Sequence, residues 1–345
     1  MNAMEKRKKY NKYDSGNAFF LSILAPQALG VALMLVIMVI GSIVNVKYED
    51  AIANPIVLSL VALSAQFCFV VVFFVYNHKT KTNWIKATGL NQKPNWITIL
   101  VCVAISAICI FGFNGIVGIF DKFVNIIGYD TTSSWPIPIN NGWWFVVNLI
   151  GLAILPAIFE ELLFRGIILK GLKDYGKWAA IFGSAGLFAL LHGNIGQLIY
   201  PFILGVILGY IVYKTGNVLY SIIIHLLNNV FSVVYTFIEV MKNGGEYVAE
   251  QVNYSVGDVF MYIGIAIASA TLIYSLVAFV IKPEKQPIAE EVEAKPQITL
   301  DDIPLEQEQP VQPAKPNMPN RFLTIGIIIG IVLWVMDLVM TISGM

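Results

Sequence analysis

The stretch 156-PAIFEELLFRG-166 sets Glu160, Glu161 and Arg165 inside an apolar run long enough to cross a bilayer. A charged side chain at the centre of a membrane helix costs about 2.5–3.5 kcal/mol, so the three together cost on the order of 8–10 kcal/mol before compensation. Two further polar insertions follow, His192 in 188-FALLH-192 and His225 with Asn229 in 225-HLLNN-229. Each lies at the margin or in the middle of an apolar run. Ionisable groups at such a cost mark a functional site, and the rest of the chain reads as a cage around them.

Composition fixes the class. The 345 residues are 57% hydrophobic and only 13% charged, and the mean hydropathy is +0.72, far outside the range of a water-soluble domain. The expected fold is all-α, a polytopic transmembrane helix bundle. Formal net charge is zero, so no global basic field speaks for nucleic acid, and the partner expected from composition is the lipid bilayer. Cys68, Cys102 and Cys109 fall in apolar runs without metal-ligand spacing and read as small apolar residues.

Apolar runs at about 19–45, 55–76, 97–120, 143–170, 178–192, 197–213, 217–240, 258–281 and 322–343 give nine candidate helices. The first is too long for a signal-peptide core and is expected as an uncleaved span. The run 178–192 is short, so its far end is expected to turn inside protein. Lysines recur on alternate sides of successive spans, which puts the N-terminus in the cytoplasm and the C-terminus outside. The expected organisation is a basic tail over 1–18 and a bundle over 19–281, with the polar insertions inside about 140–235. A disordered Pro/Glu-rich linker over 282–320, holding eight of the fifteen prolines, then leads to a ninth helix over 321–345. The bundle is thus an eight-helix core with one helix added.

At about 1.5 Å per residue, Glu160 and His192 each lie roughly 18–21 Å from the lysine-bearing ends of their helices, and His225 and Asn229 roughly 12–18 Å. Three helices therefore bring polar groups to one layer. Glu161 and Arg165 are four apart, with the acid on the N-terminal side, the favourable order for an ion pair. Phe188 and His192 share a face by the same spacing, as do His225 and Asn229. Glu160 is left without a partner on its own helix, and Pro156 is expected to bend the helix just before it. A carboxylate beside two imidazoles can deprotonate water and stabilise an oxyanion. The same groups also suit a static packing network or a proton relay in a transporter or immunity scaffold.

These motifs together resemble the CPBP intramembrane endopeptidases, also called the Abi or type II CAAX protease family. The family pattern E-E-x-x-x-R, F-x-x-x-H, H-x-x-x-N is matched by Glu160-Glu161 with Arg165, Phe188 with His192, and His225 with Asn229, over about residues 140–235. The resemblance implies a multi-pass cell-membrane protease of the glutamic type. In it Glu160 and His192 hold the attacking water, His225 and Asn229 form the oxyanion hole, and Glu161, Arg165 and Phe188 support them. It further implies a membrane-associated peptide or protein as substrate, for CAAX-type processing, or bacteriocin maturation or self-immunity. No cofactor is expected. A zinc protease using Glu160, His192 and His225 is the alternative chemistry, although no H-E-x-x-H helix is present.

Overall fold

The computed structural model describes residues 9–52, 54–129, 138–246, 248, 253–283 and 321–343. Nine long helices occur among them, α1 (Lys12–Val44), α2 (Pro55–Thr80), α3 (Trp96–Ile126), α4 (Gly142–Tyr175), α5 (Lys177–Leu191), α6 (Ile199–Thr215), α7 (Leu219–Lys242), α8 (Val256–Val280) and α9 (Arg321–Ser343). No strand occurs among the described residues. Six of the helices, α1 to α4, α7 and α8, are long and apolar enough to cross a membrane. The 15 residues of α5 rise only about 22 Å, against the roughly 30 Å of a hydrocarbon core. Residues 192–198 beyond it are mostly half-buried, as expected of a turn held inside protein.

Helix α1 starts within what composition suggests is the basic tail over 1–18. Asn11 caps it, accepting from the backbone of Tyr13 and Asp14 while Asp14 returns the bond to the Asn11 backbone. Asp14 and Ser15 are then buried, with Tyr76 donating to Asp14 at 2.6 Å and Ser15 to the Ile168 carbonyl at 2.9 Å. Local capping and tertiary hydrogen bonds extend the helix past the end of its apolar stretch. The segment expected to be a disordered linker lies, from residue 284 to 320, outside the described residues.

The basic loops gather at one end of the bundle. Lys170 on α4 donates to the carbonyls of Ala87 and Gly216, Lys214 on α6 to those of Val277 and Ala278, and the Val218 amide to Thr88. Gly89, at φ +82°, sits against the Gly216 carbonyl, where a Cβ would collide with backbone. Helix α4 packs on α1, α2 and α7, and α5 lies along α6. At Gly205 of α6 an added Cβ would stand 3.0 Å from Ala185 of α5 and 3.3 Å from Arg165 Nη2, so a glycine is needed to bring α6 against the charged part of α4.

Candidate active site

The turn of α4 carrying the two glutamates is α-helical over Leu155–Leu163 and flanked by π-helical segments at Leu149–Ile154 and Phe164–Ile168. Pro156, which cannot donate to Leu152, begins the α-helical turn directly after the first of these, so the irregularity expected there takes the form of a π-bulge. Both bulges shift the helical phase, which sets where each side chain of the motif points.

Glu161 and Arg165 are both fully buried and form an ion pair, with Nη1 donating to Oε1 at 2.7 Å. The same Oε1 faces His225 Nδ1 of α7 at 3.0 Å. One carboxylate thus holds a cation on its own helix and an imidazole across the interface. The Arg165 guanidinium also lies 4.3 Å over the ring of Phe188, and its Nε and Nη2 have no hydrogen-bond partner among the described residues.

Phe188 is the hub. Its ring meets His192 edge-on at 5.1 Å and His225 at 5.7 Å between centroids, and it packs on Phe164 at 5.2 Å. His192 caps the end of α5 and places Nδ1 2.9 Å from the Phe188 carbonyl. A carbonyl only accepts, so Nδ1 carries the hydrogen and Nε2 is left as the acceptor edge of a neutral ring.

Glu160 is 6% exposed and its carboxylate makes no hydrogen bond among the described residues, though it lies close enough to His192 and Arg165 to interact through charge. Glu160 and His192 line one cavity of about 250 Å³. The structure therefore draws together Glu161, Arg165, Phe188 and His225 by direct contact, and Glu160 with His192 by a shared space. Asn229 lies one turn after His225 and is half-buried, with no side-chain hydrogen bond among the described residues. Among the described residues no three His, Cys, Asp or Glu side chains are gathered so as to hold a metal. Glu160, His192 and His225 are thus not gathered into one set here, while each histidine, with Nδ1 turned to Glu161 or to a backbone carbonyl, keeps Nε2 free.

Residues 142–231 match the family described as type II CAAX prenyl endopeptidase Rce1-like. This segment is an Rce1-like domain. It runs from the start of α4 to the middle of α7 and so contains all three motifs. No curated protein and no solved structure matches the chain. The Rce1-like family is one of proteases, and with several membrane-spanning helices around the domain the chain is a multi-pass membrane endopeptidase that meets a membrane-associated substrate in the bilayer.

The site extends beyond the Rce1-like domain. Gln27 and Pro26 of α1, Gln66 of α2 and Leu333 of α9 line the cavity with Glu160 and His192. Asn228, adjacent to the motif asparagine, is buried and donates to Ser106 of α3 at 2.9 Å and to the Ile224 carbonyl at 2.8 Å, while accepting from Tyr200 of α6. Sequence reasoning passed over these residues. Gln27, Gln66 and Asn228 are uncharged amides in apolar runs, a weaker form of the same signal that singled out Glu160.

Proposed function

We propose that the chain is a glutamic intramembrane endopeptidase in which Glu160 is the general base and His192 shares the attacking water through Nε2. The observation that carries this reading is the setting of His192: its Nδ1 meets the Phe188 carbonyl, which leaves Nε2 free, and His192 and Glu160 line one cavity. Glu160 removes a proton from water as the oxygen attacks the scissile carbonyl, and the protonated acid then delivers it to the leaving amine. In the imidazolium form His225 donates from both nitrogens, Nδ1 to Glu161 and Nε2 to the developing oxyanion, with the Asn229 amide as a second donor. Glu161 orients His225, and Arg165 balances Glu161. No metal is assigned a step.

The lysine pattern supports a cytoplasmic N-terminus, an external C-terminus and access to the cavity from the cytoplasmic half of the bilayer. Substrates of this reading are membrane-associated or lipid-anchored peptides, for CAAX-type processing or for bacteriocin maturation or self-immunity.

The test uses purified protein in liposomes with an internally quenched farnesylated CAAX peptide. Glu160→Gln and His192→Ala are expected to abolish cleavage, and His225→Ala and Asn229→Ala to lower kcat by about 10²–10³-fold, the range of a lost oxyanion donor. Activity is expected to survive a strong chelator. Stoichiometric zinc whose removal ends turnover would transfer the chemistry to the metal.

A further inference from the structure

The fold treats the two asparagines of 225-HLLNN-229 differently. Asn228 is buried, and its Nδ2 lies 2.8 Å from the Ile224 carbonyl and 2.9 Å from Ser106 Oγ of α3. A carbonyl only accepts, so the amide is turned one way, with Nδ2 toward Ile224 and Oδ1 toward the Tyr200 hydroxyl, which donates. Both N–H groups of Asn228 are then in use, and it has none to offer a substrate. Asn229 is half-buried, and its side chain makes no hydrogen bond among the described residues.

Successive residues of α7 stand about 100° apart around its axis, which puts Asn228 about 60° to one side of His225 and Asn229 about 40° to the other. His225 meets Glu161 of α4 at 3.0 Å, while Asn228 meets α3 and α6. Polar contacts on two neighbouring faces therefore fix the rotation of α7. A hydrogen bond weakens steeply as its angle falls, so such a clamp resists rotation in a way that apolar contact does not. Tyr200 is the second residue of α6, directly after the turn that begins at His192, and Ser106 lies outside the Rce1-like domain.

From this arrangement we infer that Tyr200, Asn228 and Ser106 are positioning residues that hold α7 so that the Asn229 amide faces the developing oxyanion. The inference rests on the endopeptidase reading and deepens it. The asparagine pair then repeats the division of the glutamate pair: Glu161 and Asn228 are engaged by the protein, and Glu160 and Asn229 are left for chemistry.

The experiment is a double-mutant cycle on single-turnover cleavage of the quenched farnesylated CAAX peptide by the full-length protein in liposomes. Tyr200→Phe removes only the hydroxyl that donates to Asn228, and Ser106→Ala only the oxygen that accepts from it. Each is expected to lower the saturating rate by about three- to tenfold, the range of one hydrogen bond. The half-saturating enzyme concentration is expected to change by less than about twofold, because an oxyanion donor acts in the transition state and not on bound substrate. In an Asn229→Ala background each substitution is expected to change the rate by less than about twofold, since no amide is left to aim. A clamp that serves only the fold would cost the same in both backgrounds. Penalties equal in the two backgrounds, or absent from the wild type, overturn the inference and leave the proteolytic reading standing. Asn229→Ala with the full wild-type rate does the same. A wild-type protein that does not hydrolyse the peptide removes the reading and the inference together.

Discussion

Arg165 lies 4.3 Å above the ring of Phe188 while its Nη1 holds Glu161 at 2.7 Å. One aromatic ring therefore carries a buried cation on its face and meets both histidines edge-on. The quadrupole of the ring favours that division, positive charge over the face and imidazoles at right angles. In sequence Phe188 is only the apolar member of F-x-x-x-H. In the fold it is the shared surface of α4, α5 and α7.

Phe188→Leu keeps an apolar side chain of similar length but removes the π face. It is expected to cost about 2 kcal/mol through the lost cation–π contact in a desolvated site, and Phe188→Ala about 3–5 kcal/mol with the cavity it leaves. Both should lower activity, because neither histidine keeps its packing partner. Unfolding in detergent and cleavage assays on the same preparations check this, and a leucine variant with wild-type stability would remove the hub role.

The two adjacent glutamates should behave differently. The Glu160 carboxylate makes no hydrogen bond among the described residues, so Glu160→Gln is expected to end hydrolysis while the protein accumulates and unfolds as the wild type does. Glu161→Gln strips the compensating charge from a fully buried Arg165 and is expected to cost about 3–5 kcal/mol. Combining it with Arg165→Met should return part of that stability but not activity, because His225 stays without its carboxylate. Equal thermal stability of the two single variants would reverse the assignment.

Much of this was legible in the chain because charge in lipid is expensive. Glu160, Glu161, Arg165, His192 and His225 announce themselves as polar insertions, and the i,i+4 rule pairs Glu161 with Arg165 without a structure. The helices were legible for the same reason, since a backbone in hydrocarbon must satisfy its own hydrogen bonds. The bond from Glu161 to His225 was not, because periodicity on one helix says nothing of the facing phase on another, and the π-bulges shift that phase. Nor were Gln27 and Gln66, whose lower insertion cost gives a fainter mark, or Leu333, an ordinary apolar residue in an apolar helix.

Membrane orientation has a direct measurement. Lys93 is exposed in the loop before α3, at the end where the basic loops meet, and Lys242 closes the opposite end of α7 with 65% of its side chain exposed. With an impermeant thiol reagent on intact cells, Lys242→Cys should label and Lys93→Cys should label only after lysis. The three native cysteines are buried and should stay silent. The opposite pattern would turn the bundle over and move access to the other face.

The last prediction concerns α9, which composition suggests is an addition to an eight-helix core. Its Gly326 and Gly330 face α1 and α5: a Cβ at Gly326 would stand 2.9 Å from Phe19, and one at Gly330 lies 3.5 Å from Ile23 and 3.7 Å from Leu190. That spacing of small residues lets membrane helices approach closely. Leu333, one turn on, walls the cavity of Glu160 and His192. Asp337, a further turn on, accepts from Tyr129 at 2.6 Å. Burial, and then that carboxylate, push the Tyr129 phenol up to about 12, so at neutral pH it remains the donor, and its oxygen also meets the backbone of Ile195 and Gly196 just after His192. Removing α9 therefore opens the cavity and loosens the turn that begins at His192, without touching Glu161, Arg165 or His225. A chain stopped after Ile281 is expected to insert and accumulate but to lose at least about tenfold in kcat/KM, near 1.4 kcal/mol. Asp337→Leu should cost about 1–3 kcal/mol by leaving a buried hydroxyl without its acceptor, whereas Asp337→Asn keeps an acceptor and should be mild. Full activity in the truncated chain would make α9 a passenger, and its cavity wall dispensable.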